Sequence, residues 1–197
     1  MSEKFIPAFQ NFVDELRQIW AKETKDEVRM KKAHAVMEST LLNDPEFINR
    51  SKDWPSTEGR KNLLFYTDPD YGFVINGVVR EPGRTGSVHD HANAWVLYGL
   101  LDGTETLERF DVIDDRRSEG YAKVVLTSAP KGEAGKADLV GPYEVHAEQG
   151  SDIRSVAVIL RSRELVGKIL QGRYDRDTGK YYEGSGPDQI PYPLTAK

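Results

Sequence analysis

The sequence contains no cysteine, and that absence removes several chemistries at once. Disulfides, zinc–thiolate sites, a cysteine nucleophile and any crosslink made through a cysteine sulfur are excluded. A metal bound to this chain must therefore sit on nitrogen and oxygen. The chain also lacks any Lys/Arg-rich run, and its net charge of -5 with a pI near 5.5 provides no basic field for nucleic acid or an anionic membrane. No stretch approaches the roughly 18 consecutive apolar residues of a membrane span. The opening Met1-Ser-Glu-Lys-Phe-Ile-Pro7 has no long apolar run behind a basic region, so the expected location is the cytoplasm. Histidine is scarce too, with four in 197 residues.

What is present fits a single globular unit: 38% of residues are hydrophobic and 10% aromatic, enough for a core that needs no staples. Residues 8 to 22 place Phe9, Phe12, Val13, Leu16, Ile19 and Trp20 at helical spacing, an apolar stripe that must dock on something. A second helix is predicted from about Glu27 to Leu42, ended by Asn43-Asp44-Pro45, and a short third over Pro45 to Ser51. From residue 60 the period changes to two. Strands are predicted at 62–66, 73–79, through the histidines near 89, and at 94–101, 105–110, 121–126, 139–146 and 155–161. A closing hairpin is predicted over 168–174 and 180–182. The polar segment 111–120 and the Gly/Ala/Lys-rich segment 128–137 read as loops, and 187–197 as a loose tail. Helices followed by many short strands predict a mainly β fold, a sandwich or barrel preceded by helices. The expected division is 1–58 for the helices and 59–197 for the barrel, within one structural domain.

Two histidines one residue apart, His89 and His91, fall on the same side of a strand, because strand side chains alternate with a period of two. Both can reach one ion, and His146 is the third residue assigned to it. His34 lies in the second helix and reads as a packing or surface residue. Asp90 points away from the two histidines and reads as a hydrogen-bonding residue of a supporting layer or turn. Glu105, in the strand after Gly103, is expected to face solvent.

Gly83, five residues, His89, one residue, His91 and a later Gly103 together resemble the first metal-binding motif of the cupin superfamily. Gly141-Pro-Tyr-Glu-Val-His146 occupies the place of the second. More narrowly, His89-Asp-His91-Ala-Asn93 with Gly103-Thr-Glu-Thr106 resembles the cysteine dioxygenase branch, the thiol dioxygenases. The likeness runs over roughly residues 60 to 182. It implies a cupin-type small β-barrel, a double-stranded β-helix or jelly roll, preceded by two or three N-terminal α-helices. It also implies a mononuclear non-haem Fe(2+) on the imidazoles of His89, His91 and His146. Zinc, nickel or manganese could occupy the same nitrogens. Many cupins add a glutamate ligand after the two histidines. Val96 stands at that position here, as the thiol dioxygenases also lack it.

On the same resemblance Ala157, Ile159 and Arg161 face the metal, where cysteine dioxygenases carry serine, histidine and tyrosine. The hydrogen-bonded triad is gone, which puts cysteine itself in doubt as substrate. A guanidinium inside a barrel requires an anion, and its planar fork suits a carboxylate. Either Arg161 binds a substrate carboxylate, or it pairs with Asp152 or Glu164 in solvent at the strand end. A second cation comes from Arg60 or Lys61, near the place of the family's carboxylate-gripping arginine. Two cations favour a dianionic thiol such as mercaptosuccinate. Tyr98 is a further pocket candidate, with Trp95, Tyr66, Tyr143 and Arg80 behind it. The expected function is an oxidoreductase joining both atoms of O2 to a small thiol carboxylate such as mercaptosuccinate or 3-mercaptopropionate. The alternatives are another metal-dependent cupin enzyme (a carbon–carbon-cleaving dioxygenase, isomerase or lyase) and a ligand-binding cupin without catalysis. The expected partners are the small thiol carboxylate and O2, without nucleic acid or membrane, in a monomer or homodimer.

Overall fold

The computed structural model describes residues 5–114 and 119–195; residues 115–118 of the expected polar loop, and the ends of the chain, lie outside them. The N-terminal helices come first: α1 (Pro7–Lys22), α2 (Asp26–Val36) and α3 (Pro45–Ser51), with a π-helical turn at Met37–Leu41 extending α2. Proline occupies the first turns of α1 and α3, where its missing N–H costs nothing. The Asp44 carboxylate caps α3 by accepting from the Phe47 N–H at 2.8 Å. The stripe predicted for α1 is buried along its whole length, from Phe9 to Trp20.

The strands form two sheets. One has the order β13-β1-β2-β10-β4-β8, built from β1 (Lys61–Thr67), β2 (Val74–Arg80), β4 (Val96–Asp102), β8 (Lys136–Val140), β10 (Ser155–Arg161) and β13 (Asp188–Pro191). The other has the order β12-β11-β3-β9-β5-β6, from β3 (Val88–His89), β5 (Thr104–Val112), β6 (Val124–Ser128), β9 (Val145–Gly150), β11 (Gln171–Tyr174) and β12 (Tyr181–Gly184). The short β7 (Lys131–Glu133) is paired to β5. From β2 to β5 and from β7 to β11 successive strands alternate between the two sheets, and every strand pair but β1–β13 is antiparallel, which is a double-stranded β-helix.

Strand β10 shows how one sequence pattern serves two layers. Val156, Val158 and Leu160 belong to the cluster that packs α1, α2 and α3 on the outside of the first sheet, together with Phe9, Phe12, Phe47, Phe65 and Leu97. Ala157 and Ile159 face the other way, with Val78, Val96, Tyr98, Leu100 and Val140. Every residue of β10 is buried, so the apolar run 156–160, flanked by Ser155 and Arg161, shows no alternation of polar with apolar residues. Each fully buried aromatic or leucine at the helix–sheet seam contributes about 2 kcal/mol.

Three segments depart from the expected layout. The segment 128–137 contains β7 and the start of β8, joined by a turn at Gly135 with φ 84°; β7 pairs with β5 and β8 with β4, so the turn carries the chain from one sheet to the other. The expected strand 139–146 is split by a turn in which Tyr143 takes φ 58°, so the β9 pairing starts only at Val145. The supposed tail instead adds β13 parallel to β1, with Lys61 opposite Asp188. Among the described residues, no helix is long and apolar enough to cross a membrane.

Candidate metal centre

His89 and His146 are direct cross-strand partners in the β3–β9 ladder, which places their rings on one face with centroids 4.5 Å apart. His91 lies beyond the end of β3, not within a strand. A turn in which Ala92 adopts φ 48° carries its ring back to 4.7 Å from His89 and 4.9 Å from His146. The three imidazoles thus form a group able to hold a metal ion, with ligand atoms all within 4.8 Å of one another.

Asp90 builds that turn. Its carboxylate accepts from the backbone N–H groups of Ala92 (2.8 Å) and Gly172 (3.0 Å) and from the Tyr174 hydroxyl (2.9 Å). Gly172 is required beside it, since a β-carbon there would come within 2.3 Å of Asp90 Oδ2. On the other side, His89 Nδ1 donates to the Ser87 carbonyl at 2.9 Å, which leaves Nε2 for a ligand role. His146 Nδ1 lies 3.2 Å from Glu148 Oε1 without the alignment of a hydrogen bond.

The donor set fits a divalent metal. His146 Nε2 and His91 Nε2 are 3.0 Å apart. Two nitrogens about 2.1 Å from a shared ion at a right angle would be separated by about that distance. Burial holds all three imidazoles below the ordinary histidine pKa. His91 is lowered further by its two histidine neighbours, and His146 is lowered to about 3. They are therefore neutral near pH 7, the state a metal needs. Val96 is buried in the adjoining wall and offers no fourth protein ligand.

A cavity of about 290 Å3 opens in front of the histidines, lined by His89, His91, Tyr98, Glu148, Arg161 and others. Arg161 is 4% exposed and points into it, so its pairing with Asp152 or Glu164 in solvent is ruled out. Its Nη1 donates to Asn76 Oδ1. With the Asn62 amide turned to donate to the Lys61 carbonyl (2.8 Å), the Asn62 oxygen accepts from Arg161 Nη2 at 3.1 Å. Its Nε has no partner. Burial lowers its pKa to about 10; Glu148 opposes that shift and Arg173 adds to it. Arg60 and Lys61 also border the cavity but are exposed, and Arg60 Nη2 donates to the Ser185 carbonyl at 2.8 Å.

Glu105 does not face solvent. It is 2% exposed and accepts from Tyr98 (2.8 Å), Ser155 (2.6 Å) and Arg80 (3.1 Å), because its strand turns inward after Gly103. Arg80 also pairs with Glu148 at 3.3 Å. Burial would lower its pKa, but Tyr98, Glu105 and Glu148 raise it above the ordinary arginine value. Burial would raise the Glu148 carboxyl, but His146, His89 and Arg80 hold it well below the usual range. The remaining candidates lie elsewhere. Trp95 and Tyr66 pack against the helix-side core, Tyr143 is 64% exposed, and His34 Nε2 reaches the Ala137 carbonyl at 2.9 Å.

Sequence reasoning missed Glu148 and Arg173. Glu148 shares the parity of His146 on β9 and was within reach of that argument. Arg173 depends on β11 pairing with β3, a long-range contact that no local pattern announces.

No protein-family profile matches the chain, and no curated protein does. Solved structures do resemble it at low identity. An oxalate oxidase aligns over 47% of this chain and 42% of its own, at 16% identity and a TM-score of 0.38. The cupin domain of Cnp3 from Schizosaccharomyces pombe aligns over 52% of this chain and 60% of its own, at 7% identity and a TM-score of 0.41. A conserved double-stranded β-helix protein from Klebsiella pneumoniae subsp. pneumoniae MGH 78578 covers 70% of this chain and 88% of its own, at 11% identity and a TM-score of 0.42. The chain spans less than two thirds of the oxalate oxidase and of the Cnp3 domain.

Proposed function

We propose that the protein is a non-haem iron(II) dioxygenase that oxidises a small thiol carboxylate to a sulfinate. The observation that carries this reading is a buried guanidinium without an acidic partner, Arg161, on the same cavity as the histidine cluster. His89, His91 and His146 would hold the iron through neutral nitrogens. With no carboxylate among these ligands, the ion would keep its full charge and have room for substrate and O2. Iron bound there supplies the redox chemistry that joins both oxygen atoms to sulfur. The balance, R–SH plus O2 giving R–SO2H, needs no external reductant.

The chain's own residues set the geometry. Arg161, steadied by Asn62 and Asn76, takes the substrate carboxylate and fixes how far the thiol reaches. The surrounding positive charge favours the thiolate over the thiol. Val78, Val96 and Ile159 keep one wall of the cavity apolar and limit the water beside the reacting sulfur. Glu148 is already engaged by Arg80, so it serves as that guanidinium's counter-charge rather than as a proton acceptor.

The deciding experiment is oxygen uptake by anaerobically iron-loaded protein against mercaptosuccinate, 3-mercaptopropionate, cysteine, cysteamine and a thiol-free control. Uptake with a carboxylated thiol is expected, abolished in His146→Ala together with iron binding. Arg161→Ala should raise KM by at least tenfold while iron is retained. Silence across the panel with iron bound would overturn the reaction assignment and favour a metal-dependent cupin enzyme of another type.

A further inference from the structure

Arg161 is not alone. Arg173, on β11, is the cross-strand partner of His89, and its side chain lines the same cavity while only 8% exposed. Its contacts are long and neutral: Nη1 to Ser87 Oγ at 3.4 Å, Nη2 to Gln171 Oε1 at 3.3 Å and to the Ser185 carbonyl at 3.4 Å. Its Nε, like that of Arg161, has no partner. Among the described residues no carboxylate comes within ion-pair distance of either guanidinium. The cavity's one buried acid, Glu148, is engaged by Arg80 at 3.3 Å and lies 3.2 Å from His146.

Two buried like charges raise each other's cost, and Arg173 does depress Arg161. A monocarboxylate would neutralise one and leave the other exposed to the same penalty. A dicarboxylate neutralises both. The volume, about 290 Å3, is at the small end for ligand sites and suits a compact molecule. Arg60 is the weaker choice for the second contact, because it is exposed and its charge is screened by solvent.

We infer that Arg161 and Arg173 form a two-point cradle for a dianion, so that the site selects a small dicarboxylate with Arg173 as the specificity-determining residue. This rests on the reading of the cavity as the substrate site, and adds to it a residue and a charge state.

The test measures binding, not turnover. The full chain, as purified and after treatment with EDTA, is titrated calorimetrically at constant ionic strength with succinate and with propionate, neither of which carries a thiol. Succinate should bind at least tenfold more tightly than propionate. Arg173→Gln should bring succinate down to the propionate value while leaving propionate within threefold of wild type, and Arg173→Lys should recover part of the difference. Arg60→Gln should leave the ratio intact. Equal binding of the two acids, or a ratio that survives in Arg173→Gln, overturns the cradle. Selectivity preserved in a protein that consumes no oxygen with any thiol would instead refute the reaction and leave the cradle standing.

Discussion

Strands β2 and β10 lie side by side, and each end of the pair carries an arginine withdrawn from solvent: Arg80, its side chain 12% exposed, opposite Ser155 at one, and the buried Arg161 opposite Val74 at the other. The two ends solve the same electrostatic problem differently. Arg80 is enclosed with Glu105, Glu148 and the Tyr98 hydroxyl, and its charge is balanced within the fold. Arg161 is held by the amides of Asn62 and Asn76, which orient the fork without neutralising it. Amides position a guanidinium, whereas acids use up its charge. The first arrangement belongs to the architecture, and the second leaves a charge for a ligand to meet.

Replacing each arginine by methionine would sharpen or destroy that distinction. Arg80→Met leaves two buried carboxylates without their cation, and a loss of about 3–5 kcal/mol in urea unfolding is expected. Arg161→Met removes a charge that no acid balances, so stability should stay within about 1 kcal/mol of wild type although the hydrogen bonds to the Asn62 and Asn76 amide oxygens are lost. Equal losses in the two variants would show that Arg161 is as structural as Arg80.

The next effect in size concerns the turn between the two histidines. In Gly172→Ala the new methyl group would press on Asp90 Oδ2 and the Tyr174 hydroxyl, at 2.3 and 2.9 Å in the unrelaxed structure. A loss of about 1–3 kcal/mol is expected. Because Asp90 holds the Ala92 N–H, the change should also displace His91 and weaken metal binding, read from the metal-to-protein ratio after dialysis. Lowered stability with full metal loading would separate the turn from the metal centre.

Much of this arrangement was legible in the sequence. The apolar stripe from Phe9 to Trp20 announced a docked helix, and the two-residue period of a strand over 155–161 separated Val156, Val158 and Leu160 from Ala157, Ile159 and Arg161. The spacing of His89 and His91 placed both rings together even though only the first lies in a strand. What stayed hidden depended on partners distant in the chain. Glu105 looked like one more acid on a polar strand, and only its meeting with Arg80 and Ser155 makes burial tolerable. The parallel pairing of β13 with β1 and the approach of Arg173 to His89 join segments more than eighty residues apart, beyond the reach of local periodicity.

The smallest expected effect lies on the helix side, where a buried acid is balanced as completely as Arg80. Asp68 closes the turn between β1 and β2 by accepting from the N–H groups of Asp70 (3.0 Å) and Tyr71 (2.8 Å), and it pairs with Arg17 of α1. Burial alone would raise its pKa, but the two N–H groups, Arg17 and the Tyr66 hydroxyl outweigh it and hold the carboxyl below its ordinary 3.8. A carboxyl depressed in the folded state stabilises it at pH values above the unfolded pKa, and that contribution is lost as pH falls through the folded one. Asp68→Asn should therefore cost about 1 kcal/mol at pH 7. The gap from wild type should close as the pH is lowered below 3.8. A gap that stays constant across that range would mean that the turn depends on the oxygen as an acceptor and not on its charge, and that the balance argued for Arg80 does not extend to this acid.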